Sequence, residues 1–454
     1  MSISGRAIVV VAWLLTLPLV TPKIRGADEI EYFAYLRSMA FDHELEFGNE
    51  YRHFYERDPQ GLAGFAATFL DRREPQTGRH INFAPLGSAL LWSPFYLLAH
   101  LGVLVARAAG AAVLADGFSA PYVAAACYAS WLYGGLGLLV IHDALRRFAR
   151  AADLDAGWAT AALLWASPLL YYMTIAPGFS HATSVFAVAA LVWTTLAARE
   201  RSAGPMSWMA VGALGGIAAL VREQDVLFLA VPLGLLVADV ARGGRWGATA
   251  LRATVMLGTA VAVFVPQLLA YRAINGAFGP SRLVTRKITY SSPHFFEVLL
   301  DPGHGLFVWA PVLLVATLAL ATAAWRRREV VAGVLLLALL LQAWINGSVE
   351  SWTQAGAFGS RRFVGATVVF AWGLAVVVAT LRGRAGPVAC AAALVLGAWW
   401  NVSLMVQFGL RLMDRQRLEW PRVAVNQVTE VPPRAARAAW LFLTDRERLV
   451  RETR

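Results

Sequence analysis

The chain has 454 residues, of which 58% are hydrophobic and only 15% charged. Soluble proteins carry about 25% charged residues, so this composition excludes a soluble globular enzyme, a disordered chain and a fibrous protein. The net charge of +11 rests on arginine, with Lys23 and Lys287 the two lysines; in so apolar a chain it marks loops on the cytoplasmic side of a membrane, not a nucleic-acid surface.

Apolar runs follow one another at 7–22, 83–109, 118–141, 157–175, 183–198, 207–221, 226–240, 253–270, 306–325, 330–345, 363–381 and 387–405. They predict an all-α, polytopic helical membrane protein. The first run follows Arg6, as in a signal peptide. However, Arg25 spoils the small-residue cleavage signature and many spans follow, so the run is read as a first span. Cys127 and Cys390 both lie within apolar runs, which leaves no disulfide framework and no cysteine-based zinc site.

The run 83–109 decides the topology. If it does not cross, one set of loops carries Arg6, Arg146, Arg147, Arg150, Arg199, Arg201, Arg242, Arg245, Arg252, Arg326, Arg327, Arg328, Arg382 and Arg384. Counted after residue 118, the other set then carries half as many: Arg222, Arg272, Arg282, Arg286, Lys287, Arg361 and Arg362. Crossing would invert this asymmetry and break the positive-inside rule. The expectation is therefore about eleven transmembrane helices, with membrane-parallel helices in the first outer loop. Residues 1–405 form the membrane domain, 23–117 are that first loop, and 406–454 are a short tail. In this arrangement the polar clusters fall on one face, the outer one.

Five clusters stand out. Gly26-Ala27-Asp28-Glu29-Ile30-Glu31-Tyr32 follows the first span and opens a predicted helix over 28–41, with acids in its first turn as the helix dipole favours. Asp28 and Glu29 sit at the membrane boundary, where an unpaired acid is costly. Pro177-Gly178-Phe179-Ser180-His181-Ala182 joins two apolar runs. Its Ser-His dipeptide is no nucleophile–base pair, since chain neighbours seldom face each other; His181 is a site candidate or the polar tip of a plain loop. Arg222-Glu223-Gln224-Asp225 interrupts the apolar stretch 207–240. A charge at the bilayer centre costs about 2.5–3.5 kcal/mol, so this is a hairpin tip, with Arg222 paired to Glu223 or Asp225, or the lining of a cavity. The fourth cluster, 289–305, contains His304. The fifth, 346–362, ends in Arg361 and Arg362, which either anchor a span at headgroups or bind phosphate as planar bidentate donors. No His-Glu-x-x-His spacing occurs. Gly212-x-x-Gly215-Gly216 lacks a phosphate-binding lysine and reads as close helix packing.

The order of these clusters is more specific than any one of them. Asp28-Glu29-x-x-Tyr32 follows the first span, and Asn82-Phe83-Ala84-Pro85-Leu86-Gly87 opens an apolar run. Ser167-Pro168 precedes Ser180-His181-Ala182; then come Gly215 to Arg222, His304-Gly305-Leu306, and Gly356 to Arg362. This layout, over roughly residues 20–410, resembles the GT-C superfamily of integral membrane glycosyltransferases, which includes protein O-mannosyltransferases, aminoarabinose transferases and oligosaccharyltransferase catalytic subunits. The resemblance implies a sugar donor on a polyprenyl phosphate or diphosphate, a glycan, lipid or protein acceptor, and inversion without a covalent intermediate. It maps the general base onto Asp28, with Glu29 beside it. Arg222, Arg361, Arg362 and His304 become donor- or phosphate-binding candidates, and His181, Glu223 and Tyr32 further site candidates. No cofactor is expected. Where several members carry acids in the second outer loop this chain has His181, which leaves a divalent metal open. The implied location is a bacterial inner membrane with the site facing outward. The rival reading is a transporter or lipid-carrier flippase; it would call for inverted repeats and polar groups at mid-membrane, and neither is visible.

Overall fold

The computed structural model describes residues 4–200 and 204–445; Arg201, counted above among the cytoplasmic arginines, lies outside them. The described residues fold into helices joined by short loops, with two isolated β-bridges, Arg73 to His80 and Ile288 to Val349. In chain order the helices are α1 (Gly5–Leu14), α2 (Ala27–Arg37), α3 (Gly48–Arg57), α4 (Gly87–Ala108), α5 (Ala120–Arg147), α6 (Asp153–Ala166), α7 (Leu169–Thr174), α8 (His181–Glu200), α9 (Pro205–Val221) and α10 (Ala230–Ala241). They continue as α11 (Trp246–Asn275), α12 (Arg282–Thr285), α13 (Glu297–Leu300), α14 (Leu306–Trp309), α15 (Pro311–Arg326), α16 (Val330–Gly347), α17 (Thr367–Gly409), α18 (Trp420–Thr429) and α19 (Val431–Thr444). Among the described residues seven helices are long and apolar enough to cross a membrane, and shorter apolar helices accompany them. The molecule is thus an all-α, polytopic membrane protein.

Local rules set several boundaries. Ser4 caps α1 by accepting from Ala7 N at 3.1 Å. Prolines open α9 and α15, where their missing N–H has no intrahelical partner to lose. The long α17 is two helices in one. A straight helix of its 43 residues would reach about 65 Å, twice a bilayer core. Gly386 breaks it with φ 84° and ψ 168°, a conformation only glycine takes easily, and Pro387 follows. Cys390 Sγ then lies 4.0 Å from the Val378 carbonyl, so the chain doubles back. The two apolar runs predicted at 363–381 and 387–405 occupy the two arms.

Glycines set the closest helix contacts. A Cβ on Gly212 or Gly216 would strike the α11 backbone at Met256 or Ala260, so α9 and α11 pack at nearly bare backbone distance. That is the device expected where lipid removes the hydrophobic drive between helices and dispersion must replace it. On the outside, Leu257, Val261, Val265 and Leu269 form an exposed i, i+4 stripe along α11, an apolar face suited to lipid.

The bundle has two unlike ends. At one, arginines meet acids: Arg147 with Glu200 at 2.7 Å, Arg199 with Asp239 at 2.7 Å and Arg382 with Asp155 at 2.6 Å. At the other, residues 24–129 build a second hydrophobic core, separate from that of the bundle and rich in aromatics such as Phe33, Tyr51 and Trp92. This layer closes onto the bundle through Leu220 of α9 and Ala270 and Ile274 of α11. Within it α4 starts against Leu220 and Val221, then runs beside the first half of α5, with Leu91 O at Tyr133 Oη (3.1 Å) and His100 at Tyr122 Oη (2.7 Å). Helix α4 is one of the seven helices long and apolar enough to cross a membrane.

Candidate active site

The polar clusters meet at the seam between the two cores. Helix α2 supplies the first wall. Its N-terminus is held by Glu29, whose Oε2 accepts from the backbone N–H of Gly26 (2.8 Å) and Arg25 (3.0 Å). Glu29 is buried, and burial pushes its carboxyl up to about 7 against the lowering pull of the Gly26, Arg25 and Gly178 N–H groups. Its place is that of a capping residue, three positions into the helix and reaching back. Asp28 points another way. Its carboxylate is half exposed and receives Arg361 NH1 at 2.8 Å.

One turn on, on the same face as Asp28, lies Glu31, which the sequence reading did not single out. It is 5% exposed. Its Oε1 accepts from Phe83 N at 2.6 Å and its carbonyl from Asn82 Nδ2 at 3.0 Å. The segment 82–87, recognised as a motif, thus braces α2. Burial, and after it the charge of Asp28, pushes the Glu31 carboxyl well up. The i, i+3 spacing from Asp28 was the available signal; the bracing segment, some fifty residues away in sequence, was not. Tyr32, also on this face, accepts from Ser180 Oγ at 2.8 Å, and burial raises its phenol to about 12.

The second wall comes from the α7–α8 junction and the hairpin at 222–225. Ser180 and His181 face different partners, as neighbours should: Ser180 meets Tyr32, while His181 Nδ1 meets Arg222 NH1 at 2.8 Å. Arg222 was expected to pair with Glu223 or Asp225. Instead it reaches Ser180 Oγ (3.4 Å), His181 and Gln224 (3.3 Å). Asp225 turns inward to Ser184 Oγ at 2.6 Å, and Glu223 Oε1 is buried without a hydrogen-bond partner. The 3-10 conformation of Glu223–Leu229 explains this, because it splays consecutive side chains by about 120°.

The third wall is the loop 354–362. Tyr172 Oη both donates to the Phe358 carbonyl and accepts from its N–H, each at 3.1 Å, which pins the loop to α7. Gln224 Nε2 holds the Arg362 carbonyl at 2.8 Å and Gln342 at 2.9 Å. Arg361 thereby comes to lie 5.0 Å above the Phe179 ring while reaching Asp28. Arg362 NH2 reaches Ser351 Oγ at 3.0 Å, and its NH1 is buried and unpartnered.

Asp28, Tyr32, His181, Arg222, Arg361 and Arg362 therefore converge, Glu29 caps the helix that carries Asp28, and Glu223 instead has its Oε1 buried and its charge acting on Tyr35. His304 has a different place. Its two ring nitrogens lie 2.5 Å from the Gly303 carbonyl and 2.7 Å from that of Ala357, and its ring stacks on Trp309 at 5.0 Å. It braces the loop behind Arg361 and offers no free donor to a ligand. Among the described residues no three His, Cys, Asp or Glu side chains are grouped to hold a metal ion. A cavity of about 360 Å³ opens at the arginine-rich end beside Arg150, Arg327 and Glu329, far from Asp28; the site is assigned by its chemistry, not by volume.

No protein-family model and no curated protein matches the chain. Among solved structures it is similar to the archaeal oligosaccharyltransferase AglB from Archaeoglobus fulgidus, solved with an inhibitory peptide and a dolichol-phosphate. The identity is 12% and the TM-score 0.53, over 93% of this chain and 53% of that one. It also matches ArnT from Cupriavidus metallidurans bound to undecaprenyl phosphate, at 17% identity and a TM-score of 0.48, over 93% and 74%. The chain spans about half the length of the oligosaccharyltransferase. The chain thus shares its fold with that archaeal oligosaccharyltransferase.

Proposed function

We propose that the protein is a membrane glycosyltransferase that moves a sugar from a polyprenyl phosphate or diphosphate to a hydroxyl group of a cell-envelope glycan, lipid or protein. The observation that carries this reading is the half-exposed carboxylate of Asp28, 2.8 Å from Arg361, on a wall facing Arg222 and Arg362. The dolichol-phosphate bound by the oligosaccharyltransferase of the same fold supports a carrier of this class.

The chemistry follows from charge. A neutral hydroxyl is a weak nucleophile, and Asp28 accepts its proton as the new glycosidic bond forms, a contribution of about 10²–10⁴. The bond from the anomeric carbon to the phosphate oxygen breaks, and that oxygen keeps the electron pair. The guanidinium groups meet the growing negative charge with planar, bidentate donors. Attack opposite the leaving phosphate inverts the anomeric carbon, and the proton on Asp28 passes to solvent. Arg361 serves both halves of the site, holding Asp28 at rest and the phosphate when the donor arrives. By the positive-inside rule the arginine-rich end lies in the cytoplasm. The site then faces the outer side of a bacterial inner membrane, where lipid-linked sugars are consumed.

The test is purified full-length protein in nanodiscs, offered a panel of polyprenyl-phosphate sugars with an acceptor extract, with release of the lipid phosphate as readout. Release with at least one donor, absent in Asp28→Asn, is expected. Movement of the intact donor across the bilayer, with no release from any member, would replace the enzyme by a flippase.

A further inference from the structure

His181 has a property that its partners define. The imidazole is 1% exposed and lies between the rings of Tyr172 (4.4 Å) and Phe179 (5.5 Å). Its Nδ1 is 2.8 Å from Arg222 NH1. A guanidinium has only N–H donors and keeps its charge in proteins. Nδ1 must therefore present a lone pair to Arg222, and the ring's one proton sits on Nε2. That Nε2 is buried and has no hydrogen-bond partner.

An orphaned buried N–H is uncommon in a native protein and costs free energy unless something completes it. Here the surroundings say what completes it. Arg222, Arg361 and Arg362 are all close enough to act on the imidazole electrostatically. A second buried donor, Arg362 NH1, is orphaned as well. Two donors without acceptors, in a field set by three guanidinium groups, call for an anionic oxygen.

We propose that His181 is held by Arg222 as the Nε2–H tautomer and donates that hydrogen to a phosphate oxygen of the bound carrier lipid. This rests on the glycosyltransferase reading and assigns one residue within it. The role is specific. With its lone pair engaged by Arg222, the ring has none left to take a proton from the acceptor or to ligate a metal. Being neutral, it stabilises the leaving phosphate by a hydrogen bond and not by giving up its proton, so its effect grows as charge accumulates on that oxygen.

The experiment uses full-length protein labelled with ¹⁵N-histidine in nanodiscs, with the His181 signals identified by their absence in His181→Gln. The expected spectrum shows the proton on Nε2, unchanged from pH 5 to 8, where a free imidazole would change charge. Undecaprenyl phosphate should move the Nε2–H proton downfield. His181→Phe keeps a ring for stacking but no donor, and should weaken undecaprenyl phosphate binding about tenfold or more. His181→Gln, which retains an N–H, should lose less. In Arg222→Met the proton should spread over both nitrogens and the ring should titrate, which a purely structural role for Arg222 would not produce. A proton found on Nδ1, or an imidazolium at neutral pH, overturns the proposal. So does wild-type affinity in His181→Phe. Failure of the wild type itself to bind any polyprenyl phosphate would overturn the functional reading, and with it the assigned acceptor.

Discussion

Replacing Asp28 by asparagine separates catalysis from structure because the two effects have different sizes. On the catalytic side, loss of a positioned base removes about 10²–10⁴ in rate, or about 2.7–5.5 kcal/mol of barrier. On the structural side, the Asp28–Arg361 pair is 2.8 Å long, but its side chains are 45% and 17% exposed. Solvent screens such pairs to about 0.2–1 kcal/mol. Asparagine still offers Arg361 a carbonyl oxygen, and Arg361 keeps its place over Phe179. The variant should therefore unfold within a few degrees of the wild type and still bind undecaprenyl phosphate, while releasing lipid phosphate at least about a hundredfold more slowly. Nanodisc thermal unfolding, donor binding and a release time course read the three quantities independently. Turnover within a few-fold of wild type would remove Asp28 from the mechanism. Donor binding lost in step with turnover would make Asp28 the holder of Arg361 and not the base.

Arg361→Ala should weaken donor binding and Arg361→Lys restore it only in part, because a point charge cannot reproduce a bidentate fork; undiminished affinity in the alanine variant would leave Arg361 as a membrane anchor. Glu29→Gln should keep most activity, since Glu29 caps α2 and points away from Arg361. Because burial raises the Glu29 carboxyl from 4.5 to about 7, the folded protein holds its proton longer than the unfolded chain. Stability from this group is full at low pH and falls as pH rises through about 7; calorimetry across that window should show a shallower fall in Glu29→Gln, and an identical slope contradicts the assignment. Single cysteines at positions 60 and 295 should label from outside and one at 147 only from inside; 60 and 147 labelling from the same side would break the eleven-span topology. Gly212→Val puts side-chain atoms where Met256 backbone lies and should destabilise by about 1–3 kcal/mol, measured as loss of folded protein on heating in detergent.

What the sequence discloses about this molecule tracks how local each signal is. Apolar runs announce membrane helices because a span must be apolar over its own length, and even the doubled α17 was legible as two runs around Gly386. Asp28 stood out because an acid at a membrane boundary demands a use. Glu31 did not, because its significance lies in Phe83 and Asn82, which approach it only when the loop layer folds. Arg222 was read with its chain neighbours, which is reasonable for a hairpin tip, but 3-10 geometry turns Asp225 inward and leaves Arg222 to His181. His304 carries the opposite lesson. Its neighbours Gly303 and Gly305 resemble a ligand loop, yet carbonyl groups take both ring nitrogens, and no pattern in the chain marks a histidine as already satisfied.

The position of the site answers an energetic difficulty. Three guanidinium groups and several carboxyl groups cannot face lipid, where each costs kilocalories, and in open water they would do little to a hydroxyl or a phosphate. The seam between two apolar cores meets both demands. The aromatic layer over residues 24–129 closes one side and the bundle closes the other, and Asp28 pairs with Arg361 and Tyr32 with Ser180 across the gap. Asp28 stands on α2, whose apolar residues pack in the aromatic layer, and Arg361 just before Phe363 and Val364 of the bundle core, so their ion pair is also a rivet between the layers. A phosphate entering the seam would compete with Asp28 for Arg361. If the proposed function holds, engaging the donor would loosen the rivet and free the Asp28 carboxylate as the base comes to be needed.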